Sequence, residues 1–242
     1  MSIIKRVASL LASVGAFVSL LLALLLTSFG PTDGIIHPRQ MSDLKKVSAI
    51  VLMSDSLGTA TILRSGPKGS DFLTNAHVCD GALTEGALIV LNGMSYEVAS
   101  IKPSHKSDLC LMHVNADLEM GIVLAPVPSK TGDEIISGGY PLGLPLVLEK
   151  GYVSGVFNIS EDLIYPEFVL LTSFLVQPGH SGSGVFNSKG ELIGVIVAMK
   201  LSKETDSMGF GLAVPHKQVK RFILQESPML PWTPVPSVPP RN

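Results

Sequence analysis

Read for its alternation of apolar and polar positions, the chain falls into four stretches. Residues 7–29 run for 23 positions without a charge, directly behind Lys5 and Arg6. A bilayer core takes about 20 helical residues, so this run predicts one N-terminal transmembrane helix within 1–29. Residues 30–46, with Gly30-Pro31 and mixed polar side chains, read as a linker. From 47 to 226 short apolar runs are separated by Gly, Pro, Ser and Asp turns. They predict strands over 47–53, 58–64, 71–74, 87–91, 95–101, 109–114, 133–139, 146–157, 168–174, 184–187, 191–199 and 208–213. Several are continuous apolar runs, the pattern of strands buried on both faces. Two helical segments are expected: a short turn at 76–80, and 216–225, which opens after Pro215 and carries Val219, Phe222 and Ile223 at helical spacing. Residues 227–242 contain six prolines. Such a tail favours polyproline II; a loose end is expected, with Trp232 as its candidate anchor. The body is therefore all-β, a barrel or sandwich rather than βαβ units.

Composition narrows this picture. Apolar residues make up 46% and charged residues 16% of the 242 residues, so a large core is available. A net charge of −2 gives no footing for nucleic acid. Cys79 and Cys110 are too few for a disulfide-dense scaffold and lack metal-site spacing; no metal and no cofactor is expected. For the N-terminal run two readings stay open. A cleaved signal peptide has an apolar stretch of about 7–15 residues and a small-residue cleavage site. Here the stretch is longer, and Ser28 and Gly30 are followed by Pro31, which favours an uncleaved anchor. Lys5, Arg6 and the short N-terminal tail favour a cytoplasmic N-terminus. The expected location is a single-pass membrane protein with residues 30–242 extracytoplasmic; the alternative is secretion after signal cleavage.

The candidate chemistry centres on residues 177–187, Gln177-Pro178-Gly179-His180-Ser181-Gly182-Ser183-Gly184-Val185-Phe186-Asn187. A serine attacking a carbonyl needs an exposed hydroxyl and backbone N–H groups turned toward the developing oxyanion. Glycines at 179 and 182 permit such a turn, with the N–H groups of Gly179 and Ser181 as donors. The bland alternative is a Gly/Ser turn between strands. A hydrolase-type nucleophile elbow needs G-x-S-x-G between strand and helix; here the second glycine is misplaced and a strand follows. Of the histidines at 37, 77, 105, 113, 180 and 216, His77 stands at the mouth of the turn after the strand Phe72-Leu73-Thr74. His113 reads as a wall residue. His180 adjoins Ser181 and is poorly placed to act as its base. Asp108, at the polar-to-apolar boundary Ser107-Asp108-Leu109, is the best candidate to fix the tautomer of a histidine base.

Leu73-Thr74-Asn75-Ala76-His77-Val78, Ser107-Asp108-Leu109-Cys110-Leu111 and Gln177-Pro178-Gly179-His180-Ser181-Gly182-Ser183 resemble, in order, the three catalytic blocks of chymotrypsin-fold serine proteases. Gly58-Thr59-Ala60 and Gly209-Phe210-Gly211-Leu212-Ala213-Val214-Pro215 add to a resemblance to the HtrA/Deg type over 47–226. The resemblance implies two six-stranded β-barrels of chymotrypsin type, with a short C-terminal helix and the site between the barrels. It also implies a serine endopeptidase acting on protein or peptide substrates through His77, Asp108 and Ser181, with Gly179 and Ser181 as oxyanion donors. By the same analogy Leu175, Val197, Ala198, Met199 and Gly209 line the substrate pocket. No acid stands at Leu175, so an apolar preference is expected over Arg or Lys. If His77 and Asp108 touch, Cys79 and Cys110 lie on neighbouring segments within reach of a disulfide; two buried thiols are the alternative.

The sequence departs from the family at His180, where Asn or Asp is usual, and at Ser183-Gly184, where Gly-Pro is common. No PDZ domain is expected after the protease body. His180 beside the nucleophile also keeps open a second reading, a catalytically silent protease-fold binding module.

Overall fold

The computed structural model describes residues 44–157, 168–171, 174, 176–197 and 211–238. Residues 1–29, on which the membrane expectation rests, lie outside these. Among the described residues no helix is long and apolar enough to cross a membrane.

The first lobe contains β1 (Ser48–Leu52), β2 (Leu57–Gly66), β3 (Gly69–Thr74), helix α1 (Ala76–Glu85), β4 (Leu88–Leu91), β5 (Met94–Ser104) and β6 (Leu109–Val114). The strands pair in the order β5-β4-β1-β2-β3-β6, and β5 pairs β6 as well. Residues 94–97 of β5 face β4, and residues 98–104 face β6, with a register shift between Val98 and Ser100. One irregularity thus bends a long strand so that it serves two partners. The second lobe contains β7 (Glu134–Gly139), β8 (Val147–Phe157), β9 (Phe168–Leu171), β10 (Gly184–Asn187), β11 (Leu192–Val197) and β12 (Gly211–Pro215). These close into a six-stranded barrel, β10-β11-β12-β9-β8-β7. Helix α2 (His216–Arg221) follows, and a wider turn, Phe222–Glu226, continues it.

The expectation of two six-stranded barrels is met in the second lobe. The first lobe differs: its sheet has seven strands, because β13 (Thr233–Pro234) from the C-terminal tail adds to β5 opposite Ser100 and Ile101. The tail is therefore not a loose end through residue 238. Its prolines prevent it from building a sheet of its own, yet proline is tolerated at a sheet edge. Val235 N–H donates to Ala99 O at 3.1 Å. Trp232 packs against the His113 ring, centroids 5.4 Å apart and planes tilted by 57°, and the Lys102 ammonium lies 4.6 Å from the indole centroid.

The expected turn at 76–80 is also corrected: α1 runs ten residues, to Glu85. Gly81 and Thr84 make the segment a weak helix former. Burial holds it instead, since Ala76, Cys79 and Ala82 are enclosed and a Cβ at Gly81 would press on Met53 Sδ.

Continuous apolar strands arise because their two faces meet different surroundings. Leu192, Val195 and Val197 of β11 join the main core, while Ile193 and Ile196 join a second cluster with Val153, Phe174 and Val185. On β2, Ala60 and Ile62 fill the main core. The alternate residues Thr59 and Thr61 instead reach the second lobe: Thr61 Oγ1 accepts from Gly184 N–H at 3.0 Å.

Candidate active site

His77 enters the site from the first turn of α1, directly after β3 ends at Thr74. Asp108 arrives from the other side, at the last position before β6. Its Oδ2 lies 2.9 Å and its Oδ1 3.0 Å from His77 Nδ1, and His77 N–H donates to Oδ1 at 3.1 Å. The carboxylate is sealed, 2% exposed, whereas the imidazole is 42% exposed. Asp108 holds φ at 47°, a left-handed conformation that Asp tolerates better than most residues. Asn75 Nδ2 steadies it by donating to Asp108 O at 2.9 Å. Asn75 precedes α1 but does not cap it; its amide ties the His-bearing segment to the Asp-bearing one. Two residues beyond each partner, Cys79 and Cys110 are disulfide-bonded, with Cα atoms 6.5 Å apart.

Ser181 lies on the turn leading into β10. A hydrogen bond from His180 N–H to Gln177 O, 3.0 Å, closes a four-residue turn around Pro178 and Gly179. Gly179 has φ 96°. Proline followed by a positive-φ glycine is the type II arrangement. A Cβ at Gly179 would collide with Tyr140 O and Leu57, so the position admits glycine alone. Neighbouring groups hold the turn plane by plane. Leu142 N–H donates to Pro178 O at 2.7 Å, and Thr59 N–H to Ser181 O at 2.8 Å. Thr59 Oγ1 donates to Gly179 O at 2.7 Å and accepts from Tyr140 N–H at 3.1 Å. A trans peptide points its N–H opposite its carbonyl. Anchoring Pro178 O on Leu142 therefore fixes where Gly179 N–H points.

The same contacts bring the serine turn against the histidine segment. A Cβ at Gly58 would meet Val78, the residue after His77, and would lie 3.5 Å from Ser181 O. A Cβ at Gly182 would strike Thr59 O and Thr74 Oγ1. Thr59 is a residue whose part the sequence left unread. It stands in the Gly58-Thr59-Ala60 match, but its hydroxyl contacts join segments more than 80 positions apart. Tyr140 belongs to the same group: its hydroxyl donates to Ser48 O at 3.1 Å, and burial raises the phenol above its usual range.

Of the five expected pocket residues, Val197 is buried at the end of β11; Leu175, Ala198, Met199 and Gly209 lie outside the described residues. His105 is exposed, 3.6 Å from Asp80, and His216 Nε2 lies 2.6 Å from Ala125 O. His37 lies outside the described residues. Among the described residues no three His, Cys, Asp or Glu side chains converge as a metal site would need.

Comparison with known proteins fits this geometry. The chain is 27% identical to the periplasmic serine endoprotease DegP of Escherichia coli K12 over 172 residues, 70% of this chain and 35% of that protein. It thus spans about a third of the length of the curated relatives it matches. The crystal structure of an inactive-form mutant of Rv3671c from M. tuberculosis H37Rv superposes with a TM-score of 0.68 at 17% identity, covering 84% of this chain and 96% of that one. The HtrA-type protease AlgW with a tripeptide gives 0.65 at 25% identity, covering 78% of this chain and 64% of that one. The family model for the trypsin-like peptidase domain matches residues 58–195, which include His77, Asp108 and Ser181. The chain belongs to the trypsin-like peptidase domain family, and its relatives are serine proteases of the HtrA/DegP type.

Proposed function

We propose that the chain is a serine endopeptidase of HtrA type in which His77 is the general base, Asp108 its orienting acid and Ser181 the nucleophile. The observation that carries this reading is the His77–Asp108 pair, with its acid buried and its imidazole half open, beside a glycine-flanked serine turn. Asp108 at Nδ1 leaves Nε2 to take the Ser181 proton as the hydroxyl attacks a peptide carbonyl. The carbonyl oxygen becomes an oxyanion held by the N–H groups of Gly179 and Ser181. His77 then protonates the leaving amine, and water repeats the sequence on the acyl-enzyme, freeing the acid and restoring Ser181. Asp108 stays ionised and stabilises the imidazolium.

The finer parts of the reading rest on sequence. Leu175, Val197, Ala198, Met199 and Gly209 form a pocket for small or medium apolar side chains. Residues 7–29 tether the enzyme to a membrane with the protease body extracytoplasmic, a compartment that favours the Cys79–Cys110 disulfide. Fluorophosphonate labelling of the full chain tests the catalytic assignment. Wild type is expected to label, and Ser181→Ala and His77→Ala are not. A folded wild type that fails to label points instead to the silent binding module.

A further inference from the structure

His180 is a buried titratable group that the mechanism above leaves without a part. Its side chain is only 3% exposed, although it stands beside the nucleophile. A buried imidazole is stable only when its nitrogens are partnered. Gln177 N–H donates to His180 Nδ1 at 3.3 Å, while His180 N–H donates to Gln177 O at 3.0 Å. These two bonds run in opposite directions between the same residues and bracket Pro178-Gly179. Because Nδ1 accepts, its lone pair is free of a proton, and the neutral ring carries its hydrogen on Nε2. Nε2 faces the carboxylate of Glu149 on β8, 3.9 Å from Oε2. Glu149 pairs across the sheet with Ser137 of β7, and β7 packs Gly139 against the ring, where a Cβ would lie 3.0 Å from His180 Cδ2.

We infer that His180, accepting Gln177 N–H at Nδ1 in its Nε2–H tautomer, is a positioning residue that keeps the turn carrying Gly179 and Ser181 in its oxyanion-binding form. The inference rests on Ser181 being the nucleophile. Without the acceptor at Nδ1, Gln177 N–H loses its partner, and the turn is held only by its own His180 N–H bond and by the anchors from Leu142 and Thr59. The Gly179 donor is then less fully ordered before the reaction, which weakens transition-state stabilisation more than substrate binding. An Asn at this position would carry Oδ1 where His180 carries Nδ1, one bond from Cγ, so it can supply the same acceptor.

The test compares full-length wild type with His180→Leu and His180→Asn, using p-nitrophenyl acetate hydrolysis and ¹⁵N spectra of the histidine rings at pH 8. His180→Leu is expected to lower kcat by about ten- to a hundredfold, less than the roughly 10²–10³ lost with an oxyanion donor outright, with KM nearly unchanged. His180→Asn is expected to recover most of that loss. The wild-type His180 ring is expected as the Nε2–H tautomer. Equal activity of His180→Leu and wild type overturns the inference, as does an Asn variant no better than Leu or an effect confined to KM. An Nδ1–H ring overturns it whatever the activity. If wild type fails to turn over the ester, the protease reading falls, and the ring spectrum still decides the tautomer.

Discussion

The ladder between β3 and β6 carries a histidine–aspartate pair at each end, and the two pairs stand in different surroundings. At one end His77 follows β3 and Asp108 precedes β6. At the other, Asp71 of β3 sits directly across from His113 of β6. Both histidines turn Nδ1 to the acid, at 2.9 Å and 2.7 Å. The surroundings separate them. Asp108 accepts backbone and imidazole N–H groups and is sealed. Asp71 also binds the Arg64 guanidinium at 2.6 Å, so its charge is shared with a permanent cation. The His113 side chain is 21% exposed and packs against Trp232, whose ring also carries the Lys102 ammonium. His77 is more exposed, with the serine turn packed against its segment. A histidine–aspartate contact alone does not single out a site; on the proposed reading, the acid committed to one histidine and the more exposed imidazole set His77 apart from His113.

The strongest way to break this comparison is to remove each histidine in turn. His77→Ala is expected to lower kcat by about a million-fold, as removal of a triad histidine does. His113→Ala is expected to leave kcat within about threefold, because His113 touches no reacting group. Equal losses in an ester-hydrolysis assay would mean that the two pairs are not distinct in kind. Replacing the acids sharpens the contrast. Asp108→Asn is expected to cost about 10,000-fold in kcat by favouring the wrong tautomer. Asp71→Asn should act on the melting temperature alone, because it leaves Arg64 and His113 without their anion.

Much of this was legible beforehand, and the reason is local chemistry. The strands 109–114 and 184–187 match the observed β6 and β10 to the residue, because apolar runs bounded by polar turns carry their own limits. His77 and Asp108, each read at a strand end in a short motif, do meet, and Ser181 stands on the turn before a strand, as its motif implies. What stayed hidden was set by partners far along the chain. Helix α1 continues past 80 with Ala82 docked in the core, a contact that local propensity does not announce. Strand β13 exists because β5 offers an edge. Glu149 meets His180 only through the barrel register, and Thr59 reaches Gly179 across 120 positions.

The cross-link gives a third, smaller test. The Cys79–Cys110 bond spans 31 positions, and a loop of that size is worth about 3–4 kcal/mol on the chain-entropy account. Cys79→Ser with Cys110→Ser should lower the melting temperature markedly. It should also lower activity, since the bond joins the segments that carry His77 and Asp108. A double variant that melts like wild type would remove the disulfide from the account. The smallest effect belongs to the outer pair's cover. Trp232→Ala removes an indole packed against His113 and a cation–π contact worth about 0.5–1 kcal/mol. It should lower the melting temperature by a few degrees and leave kcat alone. A fall in kcat instead would link the two ends of the ladder.

Strand β13 pairs only two residues with β5, so its own contribution to folding energy is modest. Its larger consequence concerns what happens between molecules. An uncovered stretch of β5 around Ala99 to Ile101 offers unpaired backbone groups to any passing strand, the usual route to aggregation. A chain cut before Trp232 should therefore fold and remain active when dilute, then self-associate as its concentration rises. The proline-rich tail then matters most for colloidal behaviour, a property that neither a melting curve nor a rate constant would reveal.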